Sequence, residues 1–401
     1  MNLLLLLRTL QHNKIGPTLI GLQIALTLAI VCNSLFIIQQ YARHMRAPTG
    51  IDENNIFTLS NSWLTEPDDL EARIKDDLTT LRGLPGVIDA VATNTYPLSG
   101  SGSYRSVSVR REQREPTSSA NLYFVDEHGL AAYGLHLVAG RWFTADEIAA
   151  VLSTDRKYPM VIVVTQSLAR QLFHSSPALG QALYFTPDHA SRIVGIIERA
   201  QSPYVGYDVE DTIFLPLQFL NNGLNYVVRT RPGRQAQVMR ATSDALYSLA
   251  HLRVLQNLRP FTDTRRRAYM DDRANSVMLV IVSALMLAVT AFGVIGLTMY
   301  WVTQRRRFIG MRRAMGARRL DILKQFHAEN LLIAGGGCTL GIVLGLLCND
   351  WLLTKLDGLQ RMNPAYIISV ALVVLAMCQA AVLWPALRAA SVPPASAIRN
   401  L

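Results

Sequence analysis

Four apolar stretches constrain this chain more than any other feature: residues 15–41, 276–302, 331–348 and 365–387. Crossing the hydrocarbon core of a bilayer takes about 20 mostly apolar residues, and all four meet that requirement. The composition agrees, since 50% of the chain is hydrophobic and only 17% is charged, against roughly 25% charged in soluble proteins. The expected fold is an integral membrane protein with four transmembrane α-helices in a 1+3 arrangement. A large α+β extracytoplasmic domain of two subdomains, residues 42–272, separates the first span from the other three. The first span is too long for a signal peptide and lacks a small-x-small cleavage site, so it is expected to stay as an anchor.

The distribution of charge sets the expected orientation. Of 39 Lys/Arg and 29 Asp/Glu, residues 42–272 hold 24 and 25, which leaves 15 and 4 beside the apolar stretches. With no aromatic-interleaved basic face, the net charge of +10 argues for membrane topology and against a nucleic-acid partner. Residues 303–327 carry Arg305, Arg306, Arg307, Arg312, Arg313, Arg318, Arg319 and Lys324 against Asp321 alone. The excess of positive charge in cytoplasmic loops therefore places this segment inside. The link at 349–364 balances Asp350 and Asp357 against Lys355 and Arg361, and can face outward. Both termini, 1–14 and 388–401, then lie in the cytoplasm. Arg43, Arg46, Arg265, Arg266 and Arg267 run against this rule at the edges of the outer domain, offset in part by Asp52, Glu53, Asp263, Asp271 and Asp272.

Within the outer domain two stretches read as βαβ halves. The first has strands at 56–61 and 87–93 around a helix at 67–81, with Pro67 in its first turn. The second has strands at 225–231 and 253–257 around a helix at 234–249. A β-rich insertion around 120–205, with strands at 160–165 and 192–197, separates them. Ser99-Gly100-Ser101-Gly102-Ser103 reads as a flexible loop, and Asp68-Asp69 and Asp76-Asp77 as the solvated face of an amphipathic helix. Cys32, Cys338, Cys348 and Cys378 all fall in the spans as small packing residues, so the outer domain must fold without disulfides. The third span carries Gly335, Gly336, Gly337, Gly341 and Gly345. Gly337, Gly341 and Gly345 form a small-xxx-small ladder that lets two helix backbones approach, either within the chain or between two copies.

No enzymatic chemistry is legible. The chain has no G-x-x-x-x-G-K-[ST] loop, no H-E-x-x-H and no G-x-S-x-G, and its eight histidines lack ligand spacing. No catalytic, cofactor-binding or metal residue is expected, and ATP hydrolysis would have to come from another polypeptide. The basic segment is more informative. Phe308, Met311, Met315 and Ile322 recur near helical spacing, forming an apolar face suited to a groove on a partner. Its arginines suit acidic groove walls or anionic lipid headgroups. Gly310 and Gly316 each weaken a helix by about 1 kcal/mol relative to alanine, and suit a bend or close contact better than a passive loop.

The segment at 304–317, Q-R-R-R-F-I-G-M-R-R-A-M-G-A, continuing to Ile322 and Glu329, resembles the coupling-helix signature of the FtsX/MacB permease family. The tail W-P-A-L-R-A-A at 384–390, then Pro393, Pro394, Ala395, Ala397, Ile398 and Arg399, resembles that family's closing motif. Residues 161–173, 180–183 and 194–196 are similar to a MacB-type periplasmic core domain. The resemblance implies ATPase-coupling roles for Arg307, Phe308, Ile309, Gly310, Met311, Arg312, Arg313, Met315 and Gly316. It also implies a cytoplasmic ABC ATPase partner that binds the ATP and Mg. A second permease copy, as homodimer or paralogous heterodimer, and a periplasmic adaptor complete the implied assembly. The implied location is the bacterial inner membrane, and the implied action is mechanotransmission for efflux of a peptide, antibiotic or lipid-like cargo. Two rival roles are an FtsX-like subunit regulating a cell-wall hydrolase or sensor, and a lipoprotein-releasing permease of the LolC/LolE type. Phe308 stands where the family has an acidic residue. This fits altered docking, sequence drift, or a heterodimer partner that keeps the acid.

Overall fold

The computed structural model describes residues 15–65, 69–113, 115–152, 157–174, 176–205, 210–355 and 361–390. Pro67, Asp68, Asp357, the part of the tail motif beyond residue 390 and the N-terminal segment 1–14 lie outside the described residues. The chain divides into two compact units, Met1–Arg43 with Asp272–Leu401, and His44–Asp271.

Helix α1 (Ile15–Arg46) opens the chain. The α/β unit follows with β1 (Ile56–Trp63), α2 (Leu70–Gly83), β2 (Val87–Thr93), β3 (Ser103–Val107) and β4 (Ser118–Val125). Next come α3 (Gly129–Tyr133), β5 (Leu137–Gly140), β6 (Ala149–Leu152), β7 (Val161–Thr165) and α4 (Gln166–Phe173). The unit continues with β8 (Ala182–Thr186), β9 (His189–Ile197), β10 (Thr212–Leu220), β11 (Gly223–Thr230), α5 (Gln235–Leu249), β12 (Arg253–Pro260) and α6 (Phe261–Ala268). Helices α7 (Met270–Gln304), α8 (Arg306–Ala314), α9 (Arg319–Leu353) and α10 (Pro364–Ala390) complete the chain.

In the α/β unit a four-stranded sheet runs in the order β12-β1-β11-β2. Every neighbouring pair is antiparallel. Strands β1 and β2 therefore point the same way with β11 between them, while β11 and β12 point the other way with β1 between them. Two split βαβ halves thus interleave, as in ferredoxin-like domains. Alternation along each strand sorts its side chains. Phe57, Leu59, Tyr226 and Val228 pack beneath α2 and α5. Ile56, Val91 and Val227 face a second core with Tyr123, Tyr133, Trp142 and Phe214 of the inserted subdomain.

The insertion is a mixed eight-stranded sheet whose main path is β3-β4-β10-β7-β9-β5. It is wider than 120–205, because β3 begins at Ser103 and β10 ends at Leu220. Strand β3 escapes a sequence reading because it is a largely exposed edge strand with little apolar alternation. Three further expectations need correction. Helix α2 starts at Leu70, where the Asp69 carboxylate caps the Ala72 N–H at 2.9 Å. The 99–103 run is tied down: Gly100 N–H donates to Pro203 O at 2.9 Å and Gly102 N–H to Tyr204 Oη at 2.9 Å. Asp76 is exposed as expected, but Asp77 is fully buried against Arg253 at 2.9 Å.

All four long helices of the membrane unit are apolar enough to cross a bilayer. They run past the apolar stretches, since hydropathy marks the lipid-facing length and not the end of the helix. Helix α9 begins at Arg319, well before residue 331, through a polar stretch that remains helical. Hydrogen bonds cross between helices: Thr27 to Thr290 at 2.8 Å, Asn33 Nδ2 to Gly345 O at 3.0 Å, and Asn330 Nδ2 to Cys378 O at 3.2 Å. Such polar contacts substitute for the hydrophobic driving force that lipid removes. All four cysteines lie in these helices as free thiols.

The glycine ladder packs against helices of the same chain. A Cβ on Gly337 would sit 2.7 Å from Gly21 O, one on Gly341 2.9 Å from Ala25 O, and one on Gly345 2.6 Å from Ile367 Cδ1. Gly335 and Gly336 point away, with nothing within 4 Å. Gly341→Leu is therefore expected to force α1 from α9, at an overpacking cost of about 1–3 kcal/mol. Gly335→Leu is expected to be neutral. Thermal unfolding of the two purified variants checks this, and equal midpoints would place the α1 contact elsewhere.

Candidate functional site

The predicted coupling residues form an elbow between α7 and α9. Arg305 follows the last residue of α7, and its Nη1 donates to both oxygens of Glu329 at 2.9 Å. Gln325 Nε2 adds a third hydrogen bond to Glu329 Oε1 at 3.1 Å. The Glu329 side chain is 2% exposed, so this carboxylate depends on its partners. A buried charge without such partners is strongly destabilising. The Arg305 guanidinium also lies over the Trp301 ring, 5.7 Å from its centroid.

Helix α8 is amphipathic in the direction this anchor requires. Ile309 is buried in one core with Trp301, Ile322, Phe326, Val382 and Ala386. Gly310 is buried beside it. On the opposite side Phe308, Met311 and Met315 are 55%, 56% and 78% exposed. Their spacing of three and four residues places them on one face. Met315 stays in register because its N–H donates to Met311 O at 3.1 Å. The Arg312 guanidinium lies over the Phe308 ring at 5.9 Å and donates to Gln325 Oε1 at 2.6 Å. This pins Phe308 in its exposed position. Ile322 does not join this face; it packs in the core beneath it. Arg307 and Arg313 have their backbones in α8, and their side chains lie outside the described residues.

Gly316 makes the bend. Its φ of +100° ends α8 in a conformation that side chains rarely adopt. The Ala317 N–H reaches back to Arg312 O at 3.1 Å, closing the turn in the manner of a Schellman motif. Asp321 then accepts the Arg318 N–H at 3.0 Å and starts α9. Gly310 sits inside α8, so only one of the two glycines is a bend. Glu329 was the residue whose role the sequence reading missed. A lone acid at the edge of an apolar stretch was the available signal, since such residues are kept for pairing or function.

Four spanning helices, a two-subdomain α/β unit inserted after the first, and an anchored amphipathic helix between the second and third define a membrane permease architecture. A family profile described as MacB-like periplasmic core domain matches residues 18–245, and one described as FtsX-like permease C-terminal matches residues 280–394. The chain belongs to this FtsX-like, MacB-like family of ABC transporter permeases. It is 29% identical over 285 residues to a macrolide export ATP-binding/permease protein MacB of Chlorobium luteolum, covering 65% of this chain and 40% of that protein. Against the protein of the same name from Escherichia coli K12 it is 24% identical over 352 residues, covering 85% and 51%. The chain thus spans about half or less of the length of the curated relatives it matches. Among solved structures, the periplasmic region of MacB from Actinobacillus actinomycetemcomitans aligns with a TM-score of 0.33 and 17% identity, covering 54% of this chain and 94% of that one. The extracellular domain of the transporter YknZ from Gram-positive bacteria aligns with a TM-score of 0.33 and 14% identity, covering 50% and 100%.

Proposed function

We propose that this chain is the permease subunit of a MacB-type ABC system in the bacterial inner membrane, and that it transmits nucleotide-driven motion of a separate cytoplasmic ATPase to a periplasmic α/β domain. In this reading both termini and α8 are cytoplasmic, and ATP and Mg belong to the ATPase. Two permease copies, identical or paralogous, form the working unit with a periplasmic adaptor. The observation that carries the reading is the exposed Phe308–Met311–Met315 face, held outward by Ile309 in the core and by the Arg305–Glu329 pair. An apolar helix face with basic flanks suits insertion into a groove on a partner. The few charges inside the spans give little support to a polar channel through this subunit. Cargo handling on the outer side is therefore the better fit. The relatives' printed names support export as the direction.

The test is Met311→Asp/Met315→Asp. Both positions are exposed, so the variant is expected to insert and fold as the parent does. Affinity purification in mild detergent with mass spectrometry should recover an ABC ATPase with the parent chain and lose about nine-tenths of it or more with the variant, as a hot-spot loss of about 2 kcal/mol or more implies. Undiminished recovery would remove α8 as the docking element.

A further inference from the structure

Two open cavities of the α/β unit contrast in charge. One of about 400 Å³ is lined by Asp52, Glu53, Arg199 and Arg229 among others. Most of its charges are answered, Glu198 excepted: Arg229 pairs with Asp52 at 2.9 Å, Arg199 with Glu210 at 3.0 Å, and Glu53 with Arg265. The other, about 460 Å³, has Arg259 and Arg267 in its lining and no acidic residue. The adjacent arginines of α6 are committed elsewhere, Arg265 to Glu53 and Arg266 to Asp263 at 2.7 Å. Arg259 donates only to the neutral side-chain carbonyl of Asn257. Among the described residues, the Arg267 side chain has no hydrogen bond or ion pair. Among the described residues, two positive charges therefore share one concavity with no acidic partner.

Further observations mark this cavity as built. Thr264, 6% exposed, is part of its lining, and its hydroxyl, enclosed behind the cavity surface, has no hydrogen-bond partner among the described residues. Three non-glycine residues among those described adopt positive φ, and two of them, Leu98 at 60° and Asn257 at 55°, line this cavity. Backbone held in sparsely populated conformations clusters at ligand sites, where the surrounding structure over-determines it. The frame supplies that constraint: Leu98 N–H donates to Ser202 O at 3.1 Å and Gly100 N–H to Pro203 O at 2.9 Å. Apart from Ser99, the rest of the wall is aromatic or apolar, with Tyr96, Tyr204 and Val205.

We propose that this cavity binds a phosphate monoester carrying an apolar group. The two guanidiniums match a headgroup of roughly two negative charges, and their planar forks suit phosphate oxygens. The Tyr96–Val205 wall takes the apolar part. Such a ligand comes from a lipid or from a soluble phosphate ester, and the two are separable by experiment. The full chain, in phosphatidylcholine nanodiscs, is titrated calorimetrically with dihexanoyl phosphatidic acid, glycerol 3-phosphate and dihexanoyl phosphatidylcholine. Binding of the phosphatidate, and not of the choline lipid, is expected. Arg259→Gln/Arg267→Gln should weaken it by about tenfold or more, as loss of charge-assisted hydrogen bonds does. Arg266→Gln, whose parent side chain is paired outside the cavity, should leave it unchanged. Equal binding of glycerol 3-phosphate, which has no apolar group, would overturn the role of the Tyr96–Val205 wall and leave a site for the phosphate monoester alone. No binding of either phosphate, or equal binding by the parent and the double arginine variant, overturns the proposal.

Discussion

Arg253→Met is expected to destabilise the α/β unit by about 3–5 kcal/mol, the usual cost of leaving a buried charge without its partner. Both side chains of the pair are out of solvent, at 0% and 1% exposure. Arg253 Nη1 and Nη2 donate to the two oxygens of Asp77, each at 2.9 Å, and Tyr226 Oη donates to Asp77 Oδ2 at 2.6 Å. Burial, and then the Asp77 charge, push the Tyr226 hydroxyl well above its ordinary range, so it remains a donor. Asp77 lies on α2 in the first βαβ half, whereas Tyr226 and Arg253 belong to β11 and β12 in the second. The network thus joins two halves that the whole inserted subdomain separates in sequence. Hydrogen exchange at β1, β11 and β12 in the full chain is the measurement, and amides there should exchange about a hundredfold faster or more. Asp76→Ala, one residue away and exposed, should stay within about 0.5 kcal/mol. Asp77→Leu/Arg253→Met should regain much of the loss, since a buried pair replaced by apolar groups is often close to neutral. Parent-like protection in the single Arg253 variant would show that the pair contributes nothing to holding the halves together.

The spans and the interleaved halves were legible because each depends on local pattern. Hydropathy over about 20 residues marks a span, and alternating strand and helix signals separated by turns mark the halves. What escaped depended on partners distant in sequence. Asp77 shares the helical face of Ile74, Leu78 and Leu81, so its burial was written in the period of α2. Its partner was not, because nothing local to Arg253 points to residue 77. The apolar face of α8 was legible for the same reason as the halves, since Phe308, Met311 and Met315 share one helical turn pattern. Ile322, the optional fourth member at that spacing, lies off this face because Gly316 resets the helical phase, and spacing cannot be carried across a left-handed residue. The glycine ladder identified a close approach of backbones. Only the structure supplies the approaching helix, which is α1 of the same chain.

In the proposed role, Arg305→Leu/Glu329→Leu is expected to fold and recruit the ATPase while losing most of its coupling. The two single variants behave differently from the double. Arg305→Leu leaves the Glu329 carboxylate, 2% exposed, with only the Gln325 amide, and should cost about 3–5 kcal/mol in the membrane unit. Removing both charges removes that penalty, and leucine at each position extends the apolar core around Ile309 and Phe326. The docking face at Met311 and Met315 stays exposed in all three variants, so ATPase recovery should match the parent for the double. What the double lacks is the directional tie between the elbow and α9. Arg305 and Glu329 are 24 residues apart in sequence and fix the start of α8 to α9 through two charge-assisted hydrogen bonds. Apolar contacts hold the same elements together without fixing their angle, because dispersion and burial are non-directional. A push on α8 would then be absorbed at the elbow and not passed to α7 and α9. The measurement compares ATPase recovery with the permease-dependent change in ATP turnover, in nanodiscs containing the reconstituted pair. Intact recovery with turnover that no longer responds to the permease supports the pair as the transmitting joint. Intact recovery with a parent-like response reduces it to a packing contact that leucines can replace.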